Sequence, residues 1–176
     1  MDKKELRAQI RALKRAMTEE QIVEASARLG ELFAASEQYK EETIYGYLPY
    51  NQEVRTVPML ERALRDGKKV AVPKCYGDEM RFIYMDDLSK VEAGYANIPE
   101  PIADEPVADD KTALVLMPGM AFTKNGDRMG YGGGFYDKFL AAEPDHPTVA
   151  LCYAFQMVES LPTEEYDIPV DCVLWA

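Results

Sequence analysis

The sequence predicts an α/β fold of three layers, α/β/α, with helices covering both faces of a mostly parallel central sheet. Two observations carry that expectation. Apolar runs of strand length alternate along the chain with stretches of helical period, as they do when crossover helices join parallel strands. The run Ala113-Leu114-Val115-Leu116-Met117 is apolar throughout and closed by Pro118-Gly119, which suits a central strand buried on both faces.

The elements follow in order. Residues 3 to 16 read as a helix, with Leu6, Ile10, Leu13 and Met17 at spacings of three and four and Lys3, Lys4, Arg7, Arg11, Lys14 and Arg15 on the remaining positions. Thr18 caps a second helix, with Gln21 completing a capping box and Ile22, Ala25, Leu29, Leu32 and Phe33 as its buried stripe. The period then changes. Thr43 to Leu48 reads as a strand leading into the loop Pro49-Tyr50-Asn51-Gln52-Glu53, and a helix from about Val57 to Asp66 stops at Gly67. Lys69 to Pro73 and Met80 to Tyr84 read as strands, the second half-exposed; Asp86 to Lys111, acidic and broken by Gly94, Pro99, Pro101 and Pro106, reads as one long loop. Further strands are expected at Thr148 to Tyr153 and Asp171 to Trp175.

Composition bounds what the chain does. At 176 residues and 47% hydrophobic it is expected to form a single domain, 1–176, and it shows no internal repeat. Its net charge of −11 repels nucleic acid and anionic membrane surfaces, so neither is expected as a partner, and any anionic ligand needs a local cluster of cations. There is no apolar run of membrane-spanning length, and the charged start at Met1 to Arg7 is unlike a leader, so the protein is expected in the cytoplasm. Cys75, Cys152 and Cys172 lack metal spacing and read as small core residues. His146, the only histidine, sits between Asp145 and Pro147 and reads as a surface-loop residue, which leaves a histidine-driven nucleophile without support.

The chemistry concentrates in Arg128-Met129-Gly130-Tyr131-Gly132-Gly133-Gly134-Phe135-Tyr136-Asp137. Glycines lack Cβ, so successive N–H groups can converge on phosphate oxygens, and a helix starting near Gly134 would add its positive end. Arg128 can bind phosphate bidentately, and no Gly-Lys-Ser/Thr follows, so this is not a Walker loop. A three-glycine run alone suits a tight turn equally well. Its company of a buried strand, an arginine and the aromatics Tyr131, Phe135 and Tyr136 favours a phosphate cradle. Lys3, Lys4 and Arg7 could share an anion, although a solvated helix face explains them as well; Asp137 and Asp171 are candidate hard-oxygen ligands that spacing alone does not separate from caps.

These residues resemble a known family. Met117 to Phe122 followed by Gly126 to Asp137 is similar to the signature of the 5-formyltetrahydrofolate cyclo-ligases, also called methenyltetrahydrofolate synthetases. The likeness extends through Lys3 to Arg7, Asn51-Gln52-Glu53, Val72-Pro73-Lys74, Ile98 to Pro101 and Pro169-Val170-Asp171. It implies an ATP-dependent ligase of one-carbon metabolism that turns 5-formyltetrahydrofolate into 5,10-methenyltetrahydrofolate, releasing ADP and phosphate, with Mg2+. The formyl oxygen would be phosphorylated and N10 would close the ring, a step that needs alignment and charge neutralisation more than an enzyme nucleophile.

Carried over by motif, ATP would be bound by Lys3, Lys4, Glu5, Leu6 and Arg7 together with Arg128, Met129, Gly130, Tyr131, Gly132, Gly133, Gly134, Phe135 and Tyr136. Arg128 and Tyr136 are the expected catalytic groups. The folate, with or without a polyglutamate tail, would meet Leu48, Glu53 and the Tyr131 to Tyr136 loop; Asp137 and Asp171 would be the magnesium carboxylates. A monomer is expected. The likeness departs at Asn97-Ile98, where many relatives carry Gly-Ile, at Tyr166-Asp167, where they carry His-Asp, and at the ending Val173 to Ala176. Those departures leave a second reading open, a non-catalytic folate- or nucleotide-binding regulator on the same scaffold, and a third, an ATPase acting on another small acid.

Overall fold

Capping sets where the first two helices begin. In the computed structural model, which describes residues 1–176, Asp2 and Glu5 exchange backbone and side-chain hydrogen bonds and start α1 (Lys3–Arg15); Thr18 and Gln21 do the same for α2 (Glu19–Ala34). β1 (Thr43–Tyr45) follows, then α3 (Val57–Arg65), β2 (Lys69–Tyr76), β3 (Glu79–Met85), β4 (Val91–Ala93) and β5 (Pro99–Pro101). β6 (Leu114–Met117), β7 (Ala121–Phe122), β8 (Arg128–Met129), α4 (Phe135–Ala142), β9 (Thr148–Cys152) and β10 (Cys172–Trp175) complete the chain.

Six strands form the central sheet in the order β10-β9-β6-β1-β2-β3, parallel except for the β2–β3 pair. Side chains alternate between its faces. Ile44, Leu114 and Leu116 point to the face covered by Leu29 and Phe33 of α2 and Leu60 of α3. Tyr45, Val115 and Met117 point to the opposite face, where Leu140 and Phe139 of α4 close over them. Three layers and a mostly parallel sheet are thus as expected. Pro73 is tolerated inside β2 because β1 pairs only with Lys69 to Ala71, which leaves that edge of β2 open where the proline lacks its N–H.

α1 belongs to neither helical layer. Its Ile10 packs with Met120, Ala121 and Met129 of a two-stranded hairpin, β7–β8, that stands beyond the carboxyl end of β6. Strands of two residues carry no readable period, so this hairpin was not anticipated. It interposes itself between β6 and the glycine loop.

Two further expectations are corrected. The stretch 86–111 contains the antiparallel pair β4–β5 and a short 3-10 turn at Tyr95–Asn97. His146 is buried, not on a surface loop: its Nδ1 lies 2.7 Å from the Ala113 carbonyl and its Nε2 2.9 Å from Glu143. The ring stacks on Phe139 and serves packing between α4 and the sheet.

Candidate functional site

The carboxyl ends of β1, β2 and β6 open into a cleft of about 610 Å³, within the range of about 300–1,000 Å³ typical of ligand pockets. Its walls are the exposed edge of α1, the loop after β1, the Tyr95 turn, and the glycine loop with the start of α4.

Helical geometry decides which of the basic residues on α1 reach it. Lys3 and Arg7, one turn apart, line the cleft, and so do Arg11, Lys14 and Arg15. Lys4 and Glu5, rotated about 100° per residue from that edge, do not. Lys4 is exposed elsewhere, the Glu5 carboxylate is spent on the capping box, and Leu6 packs beside the hairpin. Of the expected ATP segment, Lys3 and Arg7 line the cleft. Arg11, Lys14 and Arg15 were legible as basic positions, but only the helix axis shows that they face the same space.

Arg7 Nε donates to the Gly130 carbonyl at 3.1 Å, so α1 and the glycine loop are held together from opposite ends of the sequence. Gly132 and Gly134 have φ of +104° and +71°, values that a side chain would strain, and Gly134 leads directly into α4. At Gly130 a Cβ would come within 3.1 Å of the Arg128 guanidinium. The loop residues Met129 to Tyr136 all border the cleft.

Arg128 is fixed before any ligand arrives. Its Nε donates to the Pro118 carbonyl at 2.7 Å, its guanidinium carbon lies 5.6 Å from the centre of the Tyr136 ring, and an outer nitrogen sits 3.8 Å from Asp137 Oδ2. Burial lowers the pKa of this guanidinium and Asp137 opposes the shift; arginine stays charged regardless. Burial holds the Tyr136 phenol above its ordinary pKa, so it remains a hydrogen-bond donor.

At the opposite end, Leu48 and Glu53 enter from the loop after β1. Glu53 Oε1 accepts from the Tyr50 N–H at 2.8 Å and Oε2 from the Tyr131 hydroxyl at 2.8 Å. Burial raises the pKa of Glu53, against the pull of Tyr131, Lys14, the Tyr50 amide and Arg55. Tyr47, Tyr131, Phe135 and Tyr136 give this end flat apolar walls.

Asp137 lines the cleft, with Oδ1 accepting from Ile168 N–H at 3.2 Å. Asp171 does not line it. It stands at the amino-terminal end of β10, where Oδ2 accepts from Thr148 N–H at 2.9 Å and from the Thr148 hydroxyl, tying β10 to β9. The two expected magnesium carboxylates are thus not brought together, and no group of three or more metal-binding side chains is assembled. Asp167, which the sequence reading did not assign, is in the cleft and pairs with Lys3 at 3.7 Å. Tyr166 stands exposed at the same rim. Asn97 has φ of +61°, which explains the departure there: asparagine is the commonest substitute for glycine in a left-handed position.

The sequence matches the 5-formyltetrahydrofolate cyclo-ligase family over residues 1–176. It is 30% identical to the Escherichia coli K12 5-formyltetrahydrofolate cyclo-ligase over 173 residues, covering 94% of this chain and 95% of that one. The mouse enzyme of the same name is 27% identical over 188 residues, 98% and 93% of the two chains. Among solved structures, the Aquifex aeolicus 5,10-methenyltetrahydrofolate synthetase superposes with a TM-score of 0.85 at 28% identity, over 99% of this chain and 90% of that one. A cleft with a glycine loop and fixed cations at one end, a carboxylate among aromatic rings at the other, and a match along the whole chain lead to one assignment: this protein belongs to the 5-formyltetrahydrofolate cyclo-ligase family.

Proposed function

We propose that the cleft binds ATP at the glycine loop and 5-formyltetrahydrofolate beside Glu53, and joins them to give 5,10-methenyltetrahydrofolate, ADP and phosphate. The single observation that carries this reading is the shared wall. Residues 130–136 border both the cationic end and the Glu53 end, so one loop can hold a γ-phosphate against a formyl group.

In this account Lys3, Arg7 and Arg128 neutralise the phosphates, the loop N–H groups cradle them, and Tyr136 donates a hydrogen bond as a neutral phenol. Glu53 accepts from the donor-rich edge of the pterin, and Leu48 and the aromatic walls stack on it. The formyl oxygen attacks the γ-phosphorus, breaking the bond to ADP and leaving an N5-iminium phosphate. N10 then adds to that carbon, the carbon–oxygen bond breaks, and the N10 proton leaves with the phosphate.

Asp137 lines the phosphate end, with Asp167 also in the cleft, and would hold a Mg2+ ion arriving with the triphosphate, since such an ion takes only one or two carboxylates from protein. When bound, such an ion would neutralise charge on the transferring group. Asp171 has no part in it. The proposed working unit is a monomer. The proposed location is the cytoplasm, in keeping with a charged surface, three free cysteines and no helix long and apolar enough to cross a membrane.

The reading is tested by incubating the protein with 5-formyltetrahydrofolate, ATP and Mg2+ and following the methenyl absorbance. Growth of that absorbance in step with ADP supports it. Tight folate binding without ADP release would select the regulator reading, and ADP release that folate does not stimulate would select an ATPase for another acid.

A further inference from the structure

Lys14 is an unusual residue to find buried. It lies on the last turn of α1 at 7% exposure, and its ammonium makes no direct ion pair. Its side-chain partner is the Tyr131 hydroxyl, at 3.3 Å, and the ammonium also lies 5.6 Å from the centre of that ring. The same hydroxyl donates its proton to Glu53 Oε2 at 2.8 Å. Lys14, Tyr131 and Glu53 therefore form a directed chain, ammonium to phenol to carboxylate, across three separate segments. Removing an ammonium from water costs several kcal/mol unless another charge compensates, and the compensating charge here lies one hydroxyl away.

We propose that Lys14 is a positioning residue for the folate end of the cleft, holding Glu53 through the Tyr131 hydroxyl as an ionised, oriented acceptor for the pterin donors. The proposal rests on the reading that Glu53 faces the folate. Without the ammonium, Glu53 would sit in a half-buried place that favours its protonated form, and a protonated carboxyl would offer the pterin one acceptor oxygen fewer. Burial pushes Lys14 down and Glu53 up, and each opposes the other's shift, as a compensating pair must.

The other charged and titratable groups near Glu53 do not replace Lys14. Arg55, on the same loop, donates to the Asn51 and Glu53 carbonyls and pairs with Glu19 of α2 at 3.0 Å. Arg11 and Arg15 line the cleft from α1 but hydrogen-bond to nothing there, and Arg128 is committed to Pro118 and Asp137 at the phosphate end. Tyr47, Tyr136 and Tyr153 are neutral phenols held above their ordinary pKa by burial, and so is the Cys152 thiol, pushed up to about 12.

The test compares wild type with Lys14→Met, which keeps the aliphatic stem, and Lys14→Arg, which keeps the charge. Circular dichroism first establishes that each variant is folded; if Lys14→Met does not fold, Lys14→Gln takes its place. The Glu53 carboxyl carbon is titrated by NMR in the ligand-free protein, with Glu53→Gln identifying the resonance. The midpoint should rise by at least about one pH unit in Lys14→Met and stay in place in Lys14→Arg. A midpoint that does not move in the folded, charge-removed variant overturns the proposal.

Steady-state kinetics on the same proteins separates the two claims. The KM for 5-formyltetrahydrofolate should rise about tenfold at neutral pH in Lys14→Met and recover as the pH is raised, with the KM for ATP unchanged. If the midpoint moves but the folate KM does not follow it, the assignment of Glu53 to the folate fails, and the proposed role of Lys14 in binding fails with it.

Discussion

The Tyr131 hydroxyl donates to Glu53 Oε2 at 2.8 Å and so joins two residues 78 positions apart in the chain, one from the phosphate loop and one from the folate end of the cleft. In the proposed account this bond sets the spacing between the two substrates. Tyr131→Phe removes it while keeping the ring and the loop backbone. The expected result is a rise of about tenfold in the folate KM, from the loss of a hydrogen bond to a charged acceptor worth about 1.5 kcal/mol, with the ATP KM little changed. Initial-rate kinetics with each substrate varied in turn checks it; equal rises in both constants would mean that the bond serves only the loop's fold.

Arg128 is held by its Nε on Pro118, with the outer nitrogens left free to face Asp137 and the cleft, an arrangement that a single lysine ammonium does not reproduce. Arg128→Lys retains the charge and loses the placement. We expect kcat to fall on the order of 100-fold with the melting temperature nearly unchanged. Near-wild-type turnover in the lysine variant would show that charge alone suffices.

Asp137 and Asp171 separate cleanly by location. Asp137→Asn keeps an acceptor for the Ile168 amide but removes charge from the phosphate end, so the Mg2+ concentration for half-maximal activity should rise about tenfold. Asp171→Asn weakens the tie to Thr148 and should cost about 1 kcal/mol of stability without altering the magnesium dependence. Magnesium titrations of activity beside thermal melts distinguish the two, and a shifted magnesium dependence for Asp171→Asn would return that residue to the site.

Glu53 has its pKa raised by burial, so in the ligand-free protein its proton is bound more tightly in the folded than in the unfolded state. The sign follows from linkage: the stability this group contributes is present below its unfolded pKa and is lost as the pH rises through the folded value. Glu53→Gln also leaves the Lys14 ammonium without its compensating charge, so the prediction concerns the pH dependence alone: wild type should gain melting temperature relative to the variant as the pH falls and Glu53 takes up its proton. A loss relative to the variant toward acid would reverse the assignment. The same variant should bind folate less well.

Much of the fold was legible because its signals are local. The capping pair Thr18 and Gln21 marks the start of α2, and the uninterrupted apolar run of β6 marks a strand covered on both sides. The β7–β8 hairpin was not legible, since strands of two residues have no period, and neither was the β4–β5 pair, whose prolines and acidic residues read as loop. In the site, the glycines and Arg128 announced themselves by type and spacing. Asp171 misled because a carboxylate that bonds a strand edge looks, in sequence, like one that binds a metal. Lys14 and Asp167 were missed for the converse reason: a basic helix and an acidic loop are ordinary surface features until tertiary contact turns single members of each into the cleft.

The most direct measurement follows the formyl oxygen itself. The account has that oxygen attack the γ-phosphorus and leave bound to it. With 5-formyltetrahydrofolate labelled with heavy oxygen in the formyl group, mass spectrometry of the released phosphate should find the label there, one labelled phosphate for each methenyl product. Unlabelled phosphate accompanying ADP release, or methenyl product formed without phosphate, would contradict the proposal that this cleft activates the folate by phosphoryl transfer.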